Sequence, residues 1–538
     1  MEFFSGKSIC EGIVIGKIRY YSKRRNNIER VLIDDCAAES ERFSKAKEIA
    51  KKRYIALRDK AAREISEAKA MIFEVYAMLL EDAGFNDSVV DIINSEKANA
   101  EYAVAVTGDR LVAKFSQMDD EYFRARSVDV KDICDSLVRI LMNESTDIEE
   151  LNEPVIIAAE DLTPAETVQL DKSKLLSLVT ECGTLNSHTA ILARTMNLPS
   201  LVGVSVDERW DGKFAIVDGI KGQLIVEPDE ETLANYRALA EKDRLSKELL
   251  MQLKGKPCVT QSGKEIMLYA NIGSVDDVDA ALENDAAGIG LFRSEFLYLE
   301  KSDYPTEEEQ YEAYKKVVQA MDGRKVIIRT FDIGADKQAD YFNPEQEDNP
   351  AMGYRAIRIC LDRTDVFKTQ LRAIYRAAAH GNVAVMFPMV ISLEEVLEIK
   401  KICEQVMDDL KNEGVEYGEA EIGIMIETPA AVMISDILAD EVDFFSIGTN
   451  DLTQFTLAVD RYNSKLDKYY NPHHEAVLRM IRTVIDNGHA GGCWVGICGE
   501  LGADTSLTDK LISMGIDEIS VSPSNILQVK KAIREAEG

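Results

Sequence analysis

Six residues of the types used in phosphate, carboxylate or metal chemistry stand at the ends of short apolar runs in the second half of this 538-residue chain: Arg293, Arg329, Glu427, Asn450, Asp451 and Cys498. A capped strand end or a surface ion pair explains any one of them alone, but not six on one rim. A second chemical feature lies upstream, in Cys182-Gly183-Thr184-Leu185-Asn186-Ser187-His188-Thr189-Ala190-Ile191, where a glycine turn delivers a histidine to a helix start. Small hydroxyl and amide residues there cap free backbone amides, and those amides favour a phosphate at the positive end of the helix dipole. His188 therefore reads as a phosphate acceptor, with a histidine capping its own helix as the alternative.

The elements that must position the first group are eight apolar runs: Ile266 to Asn271, Gly288 to Arg293, Val326 to Asp332, Val383 to Met389, Ile422 to Glu427, Phe444 to Asp451, Cys493 to Cys498 and Glu518 to Ser522. Longer stretches of helical periodicity separate them, so eight strand-helix units predict a (β/α)8 barrel. Strands of such a barrel are buried on both faces and read as continuous apolar runs, and chemistry gathers where their carboxyl ends converge.

Upstream, Met1 to Tyr21 reads as short strands, with Ile13, Ile15 and Ile18 among glycines. From Ala37 to about Met142 the periodicity is helical, with a break expected at Gly84 to Asp87, which predicts a helical bundle inserted after the first strands. Short strands and helices alternate from Pro154 to Val226, as in a compact α/β domain, and Glu230 to Lys254 reads as a charged linking helix. The domains expected are 1–21 with 143–229 (α/β), 22–142 (helical), 230–257 (linker helix) and 258–538 (barrel).

A net charge of −32 argues against a nucleic-acid partner, since phosphate backbones are bound through an excess of Lys and Arg. Nine scattered cysteines form neither a paired framework nor a CxxC metal motif, which points to a reducing, cytoplasmic setting. No run of roughly 18 apolar residues suggests membrane insertion. His380, His473, His474 and His489 read as capping or surface residues, with His489 in a turn.

Over essentially its whole length the chain resembles enzyme I of the phosphoenolpyruvate-dependent sugar phosphotransferase system. The resemblance rests on ordered segments, among them FEVYAMLLED (73–82), DDEYFR (119–124), DLTPAET (161–167), the His188 segment, GIGLFRSEFL (288–297), RTFDIGADK (329–337), NPAMGYRAIR (349–358), GIMIETPAA (423–431), FFSIGTNDLTQFTLAVDR (444–461) and VGICGEL (495–501). It implies a two-step relay in which phosphoenolpyruvate phosphorylates His188, pyruvate leaves, and the phosphoryl group passes to a histidine of the small carrier HPr. It implies a helical HPr-binding insertion, a swivelling phosphohistidine domain, and a TIM barrel that binds phosphoenolpyruvate and forms a homodimer.

Carried over residue by residue, the resemblance gives substrate binding to Arg293, Arg329, Arg355, Asn450 and Arg461, with Lys337 adding charge. Guanidinium forks suit a ligand that carries phosphate and carboxylate close together. It gives Mg²⁺ to Glu427 and Asp451, orientation of the histidine to Thr167, and protonation of the enolate carbon to Cys498. On the helical insertion, Glu67, Lys69, Met78, Glu81 and Asp82 are the expected carrier contacts, with Ile72, Leu79 and Leu80 as core.

Some positions depart from the family pattern. Cys10-Glu11 stands for Ser-Pro, Thr184 for Gly, Asn186 for Thr and Ala335 for Gly. Ala335 bears on substrate affinity if its backbone needs positive φ. Pyruvate phosphate dikinase and phosphoenolpyruvate synthase share the histidine domain and barrel but need a nucleotide-binding region, of which this sequence shows no GxxxxGK[ST]. A regulatory phospho-relay or binding paralogue with weak catalysis is the other reading, against which the full set of reacting residues weighs.

Overall fold

The structure is a computed structural model that describes residues 1–21, 28–64, 67–116, 121–143, 151, 153–183, 188–196, 198–299, 303–334, 347–461 and 463–538. The chain divides into two compact units, Met1–Ser246 and Lys247–Gly538.

The first unit contains an eight-stranded sheet: β1 (Glu2–Ser5), β2 (Lys7–Cys10), β3 (Ile13–Tyr21), β4 (Val155–Ala159), β5 (Leu175–Thr180), β6 (Ser200–Val202), β7 (Phe214–Asp218) and β8 (Gln223–Val226), in the order β1-β8-β7-β3-β4-β5-β6-β2. Strand β4, Val-Ile-Ile-Ala-Ala, is buried at every position, as a central strand paired in parallel on both sides must be. Between β3 and β4 run the helices Cys36–Glu64, Glu67–Glu81, Ala83–Glu96, Ala100–Ser116 and Glu121–Leu141. They close on an aromatic core in which Tyr54 and Tyr76 meet edge to face at 5.3 Å.

The expected break at Gly84 to Asp87 falls earlier, at Asp82. Its side chain accepts the Phe85 amide at 2.7 Å and caps the next helix, so Gly84 to Asp87 are helical. The helix Glu230–Met251 is tied to the sheet near its start, where the Tyr236 hydroxyl donates to buried Asp218 at 3.0 Å.

The second unit is a closed parallel barrel of β9 (Met267–Ile272), β10 (Ile289–Arg293), β11 (Val326–Arg329), β12 (Val383–Phe387), β13 (Glu421–Ile426), β14 (Phe444–Gly448), β15 (Trp494–Cys498) and β16 (Glu518–Val521). Its helices start on sequence-encoded caps, such as the capping boxes Thr306/Glu309 and Ser392/Glu395.

Three expected strands end two or three residues early. β11 stops at Arg329, β12 stops before Pro388, and β14 stops at Gly448, so Asn450 and Asp451 lie in the first turn of the helix Thr449–Leu457. That turn suits an acidic residue, because free amides and the dipole favour negative charge there. His489 likewise sits in the last turn of the helix Glu475–Ala490, paired with Asp517 at 2.7 Å, and not in a loop turn.

Candidate functional site

The carboxyl ends of the barrel strands surround a cavity of about 770 Å³, lined by Arg293, Arg329, Arg355, Glu427, Asn450, Asp451, Arg461 and Cys498. Eight of the nine barrel residues expected from the sequence thus meet in one place. Lys337 lies outside the described residues.

Each side chain arrives by a different route. Arg293 and Arg329 end adjacent strands and are register partners. Arg355 comes from the loop after β11, and the residue behind it, Ala356, has a positive φ of 51°. Glu427 follows β13, and its Oε1 accepts the Met389 amide at 2.7 Å. Met389 is itself left-handed at φ 61°, a costly conformation for a bulky residue and one that collects at working sites.

The amide of Asn450 is oriented because its Oδ1 accepts the Glu500 amide at 3.3 Å, which leaves the amino group as donor toward the cavity. Gly499 permits this approach. Its φ is +119°, and a Cβ there would meet Thr449 Oγ1 at 2.5 Å and Asn450 Oδ1 at 3.3 Å. The Tyr470 hydroxyl donates to the Asn450 carbonyl at 3.3 Å.

Charge in the cavity is close to balanced before any ligand enters. Its described lining carries four guanidiniums and five carboxylates: Glu295, Asp332, Glu427, Asp451 and Glu500. Glu295 and Asp332 were not expected from the sequence, although both sit inside recognised segments. Asp332 Oδ1 accepts from Arg355 Nη2 at 2.7 Å and its Oδ2 lies 3.2 Å from Arg329 Nη1. Glu295 Oε1 accepts from Arg329 Nη2.

Glu427 is buried beside Asp451 and Asp332. Burial first, and then those carboxylates, hold its carboxyl well above the usual range despite Arg329. A carboxyl pushed up in this way fits a hard divalent cation, which would relieve the repulsion. Among the described residues no group of three or more His, Cys, Asp or Glu could hold a metal alone. Glu427 and Asp451 are two carboxylates side by side in the cavity lining, the kind of oxygen donors that a hard divalent cation takes together with substrate oxygens and water.

Cys498 is 2% exposed. Burial pushes its thiol up to about 12, although the Ser446 hydroxyl, which donates to Sγ at 3.3 Å, pulls the other way. Its thiol therefore keeps its proton at neutral pH, at the end of β15.

In the first unit, His188 opens the helix His188–Thr195, as expected. Its side chain and residues 184–187 lie outside the described residues. Thr167 is on the helix Pro164–Gln169, which packs against the His188 helix. Its hydroxyl donates to Thr163 O at 2.7 Å, which leaves the oxygen able to accept. Of the substituted positions, Cys10 places Sγ 3.6 Å from Ala193 O on that same helix, whereas Thr184, Asn186 and Ala335 lie outside the described residues.

On the helical insertion Met78 is exposed, Leu80 is core, and Ile72 and Leu79 are half-buried. Met71 and Val75, one turn apart on the same helix face, are exposed as Met78 is and were not foreseen. Glu81 pairs with Lys51, and the side chains of Glu67 and Lys69 lie outside the described residues.

Comparison with known proteins gives three matched regions, described as "PEP-utilising enzyme, N-terminal" over residues 5–126, "PEP-utilising enzyme, mobile domain" over 151–222 and "PEP-utilising enzyme, PEP-binding domain" over 247–538. The chain is 42% identical over 536 residues to a phosphoenolpyruvate-protein phosphotransferase of Haemophilus influenzae, covering 98% of this chain and 93% of that protein. It is 39% identical to that of Priestia megaterium and 38% identical to that of Listeria monocytogenes, with the same coverage.

Proposed function

The chain belongs to the phosphoenolpyruvate-protein phosphotransferases of the PEP-utilising family, and from that premise we propose how its residues divide the work of moving a phosphoryl group from phosphoenolpyruvate to a protein histidine. Transfer from phosphoenolpyruvate within the sugar phosphotransferase system is the activity; the assignment of residues, metal and carrier is our reading.

Arg293, Arg329, Arg355 and Arg461, with Asn450, take the phosphate and carboxylate of phosphoenolpyruvate, and Lys337 adds charge. Glu427 and Asp451 hold Mg²⁺, which neutralises phosphoryl charge when bound. An unprotonated ring nitrogen of His188, oriented by Thr167, attacks phosphorus. The N–P bond forms as the bond to the enol oxygen breaks, and positioning with charge neutralisation supplies most of the acceleration. The enolate then takes the Cys498 proton at its methylene carbon to give pyruvate, and solvent returns a proton to the thiolate. In the second step the N–P bond of His188 breaks as a histidine of HPr takes the phosphoryl group.

The observation that carries this reading is the meeting of four arginines, two cation-ready carboxylates and a buried thiol at one mouth of the barrel. The domain roles follow: 1–21 with 143–229 carries the phosphohistidine, 22–142 docks HPr through the Met71, Val75 and Met78 face, 230–257 links, and 258–538 binds substrate. The exposed Leu397, Met433 and Ile437 on neighbouring barrel helices suit a second copy of the chain in a homodimer. The nine free cysteines suit the cytoplasm, and among the described residues no helix is long and apolar enough to cross a membrane.

Pyruvate release from phosphoenolpyruvate in the presence of HPr tests the reading. Turnover that needs both HPr and a divalent cation is expected, and turnover unaffected by chelator would refute the metal assignment.

A further inference from the structure

The cavity contains two carboxylates, Glu295 and Asp332, that the reaction as described does not use. Arg329 is buried with both terminal nitrogens already engaged, Nη2 by Glu295 and Nη1 by Asp332 at 3.2 Å. Asp332 in turn holds Arg355 through Nε at 3.2 Å and Nη2 at 2.7 Å. All four side chains are at least nine-tenths buried, so the two cations would be costly without these counter-charges.

The placement of Glu295 against Arg329 is enforced from below. The Ser294 hydroxyl donates to the Arg329 carbonyl at 2.8 Å, Gln370 Nε2 donates to Ser294 Oγ at 3.0 Å, and Gln370 Oε1 accepts the Phe331 amide at 3.1 Å. These residues are fully buried, so the backbone before Glu295 is bolted to the backbone at Arg329. One nitrogen of the guanidinium is left over: Arg329 Nε is buried and has no hydrogen-bond partner among the described residues. A guanidinium has five donors in a rigid fork, so fixing two nitrogens fixes the direction of the rest.

We propose that Glu295 is a positioning residue for the phosphoryl-transfer site: with Asp332 it aims the Arg329 fork, leaving Nε for the substrate anion. This rests on Arg329 being a substrate ligand. Its charge also offsets that of the fork, which keeps the site from holding anionic products too tightly for turnover. Glu295 thus sets both the geometry of Arg329 and the anion affinity of the cavity.

Glu295→Gln separates the two effects, because the amide oxygen still accepts while the charge is gone. In the full-length protein, inorganic phosphate titrated by calorimetry is expected to bind roughly tenfold more tightly to Glu295→Gln, the scale of one buried charge-assisted bond. In turnover, kcat falls and KM for phosphoenolpyruvate does not rise. Glu295→Ala loses the acceptor as well, so KM rises about tenfold or more.

Phosphate affinity, kcat and KM of Glu295→Gln all within twofold of wild type would overturn the proposal, as would a lowered melting midpoint with no change in anion affinity. Should the amide variant not fold, Glu295→Asp keeps the charge and shortens the reach. It is expected to raise KM and to weaken phosphate binding, and wild-type values of both there would overturn the proposal. Wild-type turnover is measured alongside. Its absence would refute the assigned reaction, whereas the phosphate titration decides the role of Glu295 by itself.

Discussion

Glu518 offers a quantitative test of how the barrel interior is built. Its carboxyl points into the barrel, where Ser520 donates to it, and it fills space left by Gly496 on β15 and Gly290 on β10; a Cβ at either glycine would collide with it or with Ser520. Burial pushes this carboxyl up to about 8 from the ordinary 4.5, while the Ser520 bond works in the other direction. The folded chain therefore holds a proton that the unfolded chain releases above pH 4.5.

The sign follows. Between 4.5 and 8 the unfolded state binds fewer protons than the folded one, so stability from this group is fully present below 4.5 and is lost as pH rises toward 8. The whole loss is worth up to ~5 kcal/mol at 1.36 kcal/mol for each pH unit, of which ~3 kcal/mol develops between pH 5 and pH 8. Glu518→Gln removes the titration and keeps the shape. Calorimetric melting of both proteins at pH 5 and pH 8 is expected to show the variant gaining on wild type as pH rises, by about 2 °C or more for each kcal/mol. A gap between the two proteins that stays level across pH would mean that the carboxyl is ionised in the fold, and would refute the enclosed placement.

Cys498→Ser is expected to slow pyruvate release by about 10²–10⁴-fold, because the hydroxyl is a poorer acid for carbon, while inorganic phosphate still binds; an unchanged rate would remove Cys498 from the chemistry. With its thiol near 12, Cys498 at pH 8 holds roughly 10³ times less thiolate than a cysteine at 9, so alkylation mapped by mass spectrometry should reach exposed Cys182 long before it. Gly499→Ala forces a side chain into positive φ against Thr449 and Asn450, at about 1–3 kcal/mol, and should raise KM for phosphoenolpyruvate and lower the melting midpoint by about 2 °C or more for each kcal/mol; an unchanged KM would remove Gly499 from the placement of Asn450. Asp451→Asn should raise the Mg²⁺ concentration for half-maximal turnover about tenfold or more, read from a metal titration at saturating phosphoenolpyruvate.

The barrel was legible because parallel strands buried on both faces leave continuous apolar runs, and because five of those runs carry, at or near their ends, the six residues suited to phosphate, carboxylate or metal chemistry. Strand ends were less legible. Apolar character continues through Phe387-Pro388-Met389, but proline lacks the ladder amide; after Gly448 the polar Thr449-Asn450-Asp451 opens a helix, so pairing stops before the expected ends.

Arg355 carries no periodic signal, since it is delivered by a loop, and only the resemblance pointed to it. Glu295 and Asp332 were missed for a related reason. Each is an ordinary acidic residue just beyond a strand end, and its use appears only when β10 and β11 bring it against Arg329. The signal that was available is the spacing inside GLFRSEFL and RTFDIG, in which an acid follows each arginine by two or three residues. Glu518 had a signal as well, an acid opening an apolar run, with glycines at Gly290 and Gly496 in the neighbouring runs making room for it.

The central claim is that phosphoenolpyruvate phosphorylates this chain on one histidine and that the carrier then removes the group. The most direct measurement is incubation of the full-length protein with phosphoenolpyruvate and Mg²⁺, mapping of the acid-labile phosphate by mass spectrometry, and addition of HPr. The account predicts phosphate on His188, its loss to HPr, and no labelling of His188→Ala. Labelling at another residue, or wild-type protein that stays unlabelled while binding phosphoenolpyruvate, would contradict it.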